Sequence, residues 1–301
     1  MKTRLVVVVM LASTVERPAG VQELRLDRDV PYVDGGSADQ RLDLSTPTTT
    51  GFPTVIFIHG GSLQELGERR TSSVYAGVCA PLVATGIGCA TVDYRLAPTY
   101  KWPAMPEDVA AAVKWVKSNI SARGGDPQRL FLFGHSSGCQ LAAVLGTNPK
   151  YLTAVGLDTT DIAGIVAMGC VLSPSEEVLA AHSVDELRER WPKNSFADTY
   201  GSVEDWLDSD PSRFLGPAGP PVLVICAEAE RFFPSILEEG AKFVRRLLEM
   251  KRPANLVMVP GRHLTSIAQF GTPGDPTFAA VQAFVADPVA VAPKHGGHFP
   301  E

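Results

Sequence analysis

Ser136 lies in the run Phe131-Leu132-Phe133-Gly134-His135-Ser136-Ser137-Gly138, a Gly-x-Ser-x-Gly pentapeptide between an apolar β-type stretch and an Ala/Leu-rich segment. A turn that sharp between strand and helix holds the serine in a strained conformation, and the flanking glycines avoid collisions that a Cβ would make. The hydroxyl is lifted clear of the sheet, and the helix N-terminus behind it offers N–H groups to a developing oxyanion. A serine hydroxyl is a poor nucleophile at neutral pH. It needs a base within hydrogen-bond reach, a carboxylate to orient that base, and N–H donors aimed at the oxyanion.

Of the six histidines, His59 and His135 belong to glycine motifs, His182 falls in a polar insertion, and His295 and His298 lie near the C-terminus. His263 follows the apolar stretch Asn255–Val259 through Pro260-Gly261-Arg262, where a base should stand at a strand end. For the acid, the stretch Pro221–Ala227 ends in Glu228-Ala229-Glu230. Glu230 is the first choice and Glu228 the alternative. The run His59-Gly60-Gly61-Ser62 comes directly after Thr54–Ile58, so the N–H groups of Gly60 and Gly61, with that of Ser137, are the expected oxyanion hole. The order serine, glutamate, histidine suits an α/β sheet with its ligands at the strand ends. Asp93 and Asp126 read as structural.

These groups must be positioned by alternating strands and helices. Gln22–Val33 and Gln40–Leu44 read as two antiparallel edge strands around Asp34-Gly35-Gly36. Strands are expected at Thr54–Ile58, Gly88–Tyr94, Arg129–Phe133, Ile162–Cys170, Pro221–Ala227 and Asn255–Val259. Helices are expected at Ser73–Thr85, Pro106–Ile120, Ser137–Leu145, Ser235–Met250 and Thr277–Ala286. Val109, Val113, Val116 and Ile120 form one face of the second. The alternation implies an α/β fold, a mostly parallel sheet covered on both faces. Residues 172–215 break the rhythm and read as a small helical cap carrying Trp191, Phe196, Tyr200 and Trp206. The domain then spans 21–288, with a loose tail at 289–301. Lys2 and Arg4 ahead of Leu5–Ala12 make residues 1–20 either a leader or a short secretory signal.

Composition bounds the rest. The 301 residues are 45% hydrophobic and 20% charged, with a formal net charge of −6. That suits one globular α/β domain. No basic cluster with interleaved aromatics points to nucleic acid, and no apolar run approaches a membrane span. The five cysteines form no Cys-x-x-Cys pair and read as buried free thiols, which leans towards a reducing compartment. Against this, a secretory signal would place the protein outside the cell. No metal or cofactor motif is present in the sequence.

The ordered set His59-Gly60-Gly61-Ser62, Asp93-Tyr94-Arg95-Leu96-Ala97-Pro98, Trp102–Asp108, Gly124-Gly125-Asp126-Pro127 and Gly134–Gly138 resembles the α/β-hydrolase superfamily. The likeness is to carboxylesterases related to hormone-sensitive lipase, and to feruloyl-esterase-like and arylformamidase-like hydrolases. The resemblance implies an α/β-hydrolase fold over about residues 22–285, with Ser136 as nucleophile, His263 as base and Glu230 as acid. It also implies donors from Gly60, Gly61 and Ser137 and no cofactor. Ser62 replaces the usual third glycine, Thr99 the glutamate that often follows the Arg-Leu-Ala-Pro run, Glu230 the usual aspartate, and Ala227 a common glycine. The expected activity is hydrolysis of small carboxylic esters through an acyl-enzyme. Cleavage of amides or formamides by the same apparatus is the alternative, and a non-catalytic binding module on the same fold is the third reading.

Overall fold

Apolar side chains alternate along the central strands, so each strand feeds two cores. The computed structural model describes residues 24–65, 69–230 and 236–290. The leader reading for 1–20 and all but the first two residues of the 289–301 tail lie outside them. Strands β1 (Leu24–Pro31) and β2 (Arg41–Pro47) pair antiparallel. After β3 (Phe52–Ile58) and the short helix α1 (Cys79–Ala84), β4 (Gly88–Val92) pairs antiparallel with β2 and parallel with β3. Helix α2 (Ala104–Asn119), β5 (Gly125–His135), α3 (Ser137–Thr147), α4 (Pro149–Ala154) and β6 (Gly164–Met168) follow. Four short helices come next: α5 (Glu176–Ala181), α6 (Val184–Arg190), α7 (Ala197–Tyr200) and α8 (Val203–Asp208). The chain then runs through β7 (Val222–Ala227), α9 (Ile236–Glu249), β8 (Ala254–Val259), α10 (His263–Ala268) and α11 (Pro276–Ala286). The sheet order is β1-β2-β4-β3-β5-β6-β7-β8, and β3 to β8 are all parallel to one another. This is the mostly parallel α/β architecture expected from the alternation.

In β3 and β5, Ile56, Ile58, Leu130 and Leu132 face the core shared with α2, α3 and α9. Val55, Phe57, Phe131 and Phe133 face the other core, closed by α1 and α11. A strand buried on both sides reads as a continuous apolar run because covering helices leave neither face to water. Val109, Val113, Val116 and Ile120 are all fully buried, each worth about 1.5–3 kcal/mol relative to exposure.

Several boundaries differ from the sequence reading. Of the two strands expected at the edge, only β1 lies there, because β2 is covered on its other side by β4. Helix over Ser73–Thr85 shrinks to α1. Residues 72–78 make isolated turns instead, with Tyr75 N–H donating to Ser72 O at 3.0 Å and Val78 N–H to Tyr75 O at 3.0 Å. Gly77 disfavours helix there, and Pro81 suits only the first turn of the helix that does form. The reading omitted α4, although Asn148 caps it through the N–H of Lys150, with Pro149 at its first position.

The cysteine reading is corrected. Disulfides join Cys79 to Cys89, with Cα atoms 5.3 Å apart, and Cys139 to Cys170, with Cα atoms 5.8 Å apart. Packing α1 on β4 and α3 on the exit of β6 brings these pairs within disulfide reach, which sequence separations of 10 and 31 do not signal. Cys226 alone is a free thiol, pushed up to about 12 by burial.

Two carboxylates hold the segment between β6 and β7 in place, the half-buried Asp208 against the body and the buried Asp210 within the segment itself. Asp208 accepts from Trp102 Nε1 at 2.9 Å, Asn148 Nδ2 at 3.2 Å and the Tyr151 hydroxyl. Asp210, fully buried, accepts from the N–H groups of Ser175 and Ser212 and from the Ser175 hydroxyl. Each carboxylate has several donors, as burial of a charge requires.

Candidate active site

Ser136 stands between β5 and α3 at φ 55° and ψ −128°, a conformation costly for a residue with a Cβ. Its neighbours hold it there. The Ser136 N–H donates to Met168 O at 2.9 Å, and Cys139 N–H donates to Ser136 O at 2.9 Å. A Cβ at position 134 would overlap the Gly138 carbonyl, and one at 138 would overlap the Ile58 carbonyl. The pentapeptide glycines are thus required by backbone packing across β5, α3 and the end of β3.

His263 is the first residue of α10 and Glu230 follows β7 by three residues. His263 Nδ1 lies 2.9 Å from Glu230 Oε2, and both side chains are 6% exposed. Two backbone bonds stitch the supporting loops together: Glu228 N–H to Val259 O at 2.9 Å and Ala229 N–H to Gly261 O at 3.0 Å. The Glu228 residue itself is exposed. The His263 ring packs against Gly169, where a Cβ would stand 3.3 Å from Nδ1. Gly169 directly follows Met168, the acceptor of the Ser136 N–H, so the imidazole and the serine share one strand end.

Gly60 abuts Ser136: a Cβ there would lie 2.8 Å from Ser136 Cβ and 2.6 Å from the Tyr75 hydroxyl. Gly61, Ser62 and Leu63 follow at φ 106°, 59° and 61°, and Leu63 N–H donates to Ser137 Oγ at 3.3 Å. Among the described residues no hydrogen bond engages the N–H of Gly60, Gly61 or Ser137. Beneath this loop His59 is fully buried and stacked on Tyr94, ring centroids 4.4 Å apart. Burial pulls it down to about 4, so it is neutral, and its Nδ1 lies 2.7 Å from Gly60 O. Asp93 sits 3.5 Å from His59 Nε2 and pairs with Arg70, the buried polar corner expected from sequence.

A cavity of about 430 Å³ opens beside Ser136. Val171, Val178, Phe196, Tyr200 and Trp206 supply its apolar wall, Gln140 a polar one, and none of the lining residues among those described is charged. Its size falls within the usual range for small-molecule sites. The cap aromatics divide their work: Trp191 packs on Trp206 inside the cap, whereas Trp206, Tyr200 and Phe196 reach the cavity.

Two contributors escaped the sequence reading. Gln140, one turn after Ser136, donates to Ser209 O at 3.0 Å and accepts from the Tyr200 hydroxyl at 3.3 Å, tying the cap to α3. A polar residue at that point in an Ala/Leu helix was the available signal. Tyr75, which contacts both Gly60 and His135, carried none. Among the described residues no group of three or more histidine, cysteine or acidic side chains could hold a metal ion. No described helix is long and apolar enough to cross a membrane.

Solved structures with this fold include a carbohydrate esterase from gut microbiota (TM-score 0.71, 19% identity, 90% of this chain and 98% of that one). Esterase B from Lactobacillus rhamnosis matches at TM-score 0.69 and 19% identity, over 87% of this chain and 85% of that one. By sequence, esterase LipC of Mycobacterium tuberculosis is 29% identical over 218 residues, 71% of this chain and 52% of that protein. Kynurenine formamidase of Salmo salar is 34% identical over 140 residues, 46% of this chain and 44% of that protein. The chain spans about half the length of such relatives. The family model for the alpha/beta hydrolase fold matches residues 55–264, well over half the chain. With its sheet order, its strained serine between β5 and α3 and its histidine after β8, the chain belongs to the α/β-hydrolase family.

Proposed function

We propose that this protein is a serine hydrolase that cleaves small, uncharged carboxylic esters through an acyl-enzyme. The observation that carries the reading is the strained Ser136 beside a histidine whose Nδ1 is held 2.9 Å from Glu230. Glu230 accepts a hydrogen bond from Nδ1–H, so the lone pair that acts as base is on Nε2. Ser136 Oγ attacks the ester carbonyl carbon while His263 Nε2 takes its proton. The N–H groups of Gly60, Gly61 and Ser137 receive the oxyanion, and His263 returns the proton to the departing alcohol. Water then attacks the acyl-enzyme with His263 as base again, releasing the acid and restoring the serine.

The lack of charge among the cavity's described lining residues supports an apolar acyl or alcohol group. The esterase relatives support the ester as the cleaved bond. Replacing Ser136 by alanine should lower turnover of a short-chain aryl ester by roughly 10⁴-fold or more. Retention of the parent rate would overturn the reading.

Formamide or amide cleavage is the second reading, favoured by the similarity to a kynurenine formamidase. Parallel rates on aryl esters and formanilides decide between them. A binding module without catalysis is a further alternative, since the gibberellin receptor of Oryza sativa is 39% identical over 99 residues, 32% of this chain and 27% of that protein. The presence of both Ser136 and His263 speaks against it, and a serine-directed fluorophosphonate should label Ser136.

A further inference from the structure

A second imidazole lies behind the nucleophile. His135 is fully buried, and its ring centroid is 4.8 Å from that of His263. Its Nε2 stands 2.9 Å from the backbone carbonyl of His263. A carbonyl only accepts, so Nε2 carries a proton. Burial, reinforced by the neighbouring His263, pulls His135 down to about 3, and the ring is neutral. Nδ1 is therefore bare and accepts from the Tyr75 hydroxyl at 3.0 Å. That hydroxyl occupies the space a side chain at Gly60 would need. One chain of contacts thus runs from the glycine loop through Tyr75 and His135 to the backbone of His263.

We propose that His135, fixed in its Nε2–H tautomer by Tyr75, is a positioning residue that anchors the His263 main chain beside Ser136. The inference rests on the reading of Ser136 and His263 as nucleophile and base. The main chain of His263 sets the origin of its side chain, and a small displacement of a catalytic group costs turnover more than binding. Neutrality at 135 also matters. A cation there would oppose the imidazolium that forms on His263 as Ser136 loses its proton.

The test measures kcat and KM on an aryl ester for the parent, Tyr75→Phe, His135→Gln, His135→Leu and the double variant Tyr75→Phe/His135→Leu. Folded fraction is followed by thermal melts. His135→Leu removes the imidazole donor to the His263 carbonyl, leaving the longer Ser266 Oγ contact at 3.3 Å as its side-chain donor, and should lower kcat roughly 100-fold, with KM within about twofold. His135→Gln offers an amide N–H to the same carbonyl and should recover most of that loss. Tyr75→Phe should lower kcat by roughly fivefold to tenfold in the parent, and by less than about twofold in the Leu background, where no tautomer remains to be set. Equal losses for Gln and Leu, or kcat within about twofold of the parent for both folded Tyr75→Phe and His135→Leu, would overturn the proposal.

If His135→Leu does not fold, Tyr75→Phe decides alone, together with the imidazole ¹⁵N spectrum of the parent. A protonated Nδ1 on His135 in that spectrum sinks the idea. Ser136→Ala separates the two levels. Persistent hydrolysis in that variant refutes the functional reading, while the tautomer measurement still decides the hydrogen-bond chain.

Discussion

Glu230 Oε2 stands 2.9 Å from His263 Nδ1, and the loop bearing the carboxylate is hydrogen-bonded to the loop bearing the imidazole through Glu228 N–H and Ala229 N–H. The carboxylate and the imidazole are therefore positioned relative to each other by backbone as well as by their own bond. That arrangement accommodates the extra methylene of a glutamate without loosening the pair.

The two glutamates should separate cleanly. Glu230→Gln keeps the shape but offers an amide in place of a carboxylate, so it neither stabilises the His263 imidazolium nor enforces its tautomer. Turnover should fall roughly 10³–10⁴-fold. Glu228→Gln changes an exposed side chain and should leave turnover within about twofold. The reverse pattern in steady-state assays would exchange their roles.

Glycine-to-alanine changes offer a sharper structural test. At 134 or 138 the new Cβ would meet backbone carbonyl atoms, which cannot rotate away. A loss of more than about 3 kcal/mol is expected, or failure to fold. At Gly86, which unlike 134 and 138 sits at positive φ (83°), the space is open, so only conformational strain of about 1 kcal/mol remains. Thermal or urea melts of the three variants give the comparison. Equal losses at 86 and 134 would show that close packing is not what position 134 demands.

The sequence was most legible where local chemistry and strand order coincide. The Gly-x-Ser-x-Gly turn, the glycines after β3 and the histidine after β8 each follow an apolar strand, and a parallel sheet brings such strand ends together. Contacts between distant segments left no such pattern. Nothing in the spacing of Cys139 and Cys170 reports that α3 packs on the exit of β6. Likewise, no local signal joins Tyr75 to His135 across 60 residues. The helix expected over Ser73–Thr85 failed because its apolar residues serve a series of turns that deliver Tyr75 to Gly60.

His59 and His135 make the fold acid-sensitive. Both are buried with folded values of about 4 and about 3, against 6.5 for the unperturbed side chain. Below pH 6.5 the unfolded chain binds protons at these sites and the folded chain does not, so stability rises with pH across this window and falls on acidification. At pH 5 the loss amounts to about 2 kcal/mol per histidine relative to neutral pH. Urea midpoints should fall between pH 6.5 and 5, and His59→Asn should remove about half of that slope. A flat profile in the parent would show that these rings are charged or solvated in the folded state.

The Cys139–Cys170 disulfide joins the helix that begins beside Ser136 to a residue lining the cavity. Closing a loop with a sequence separation of 31 should stabilise the fold by about 3–4 kcal/mol in the chain-entropy picture. The double variant Cys139→Ala/Cys170→Ala should lose about that much, without leaving a stray thiol. Because Cys170 and Val171 form part of the cavity wall, its KM for longer acyl esters should rise more than its kcat falls. Thiol titration of the denatured, unreduced protein supplies the direct check. One thiol, that of Cys226, is expected, and five would mean that neither disulfide forms.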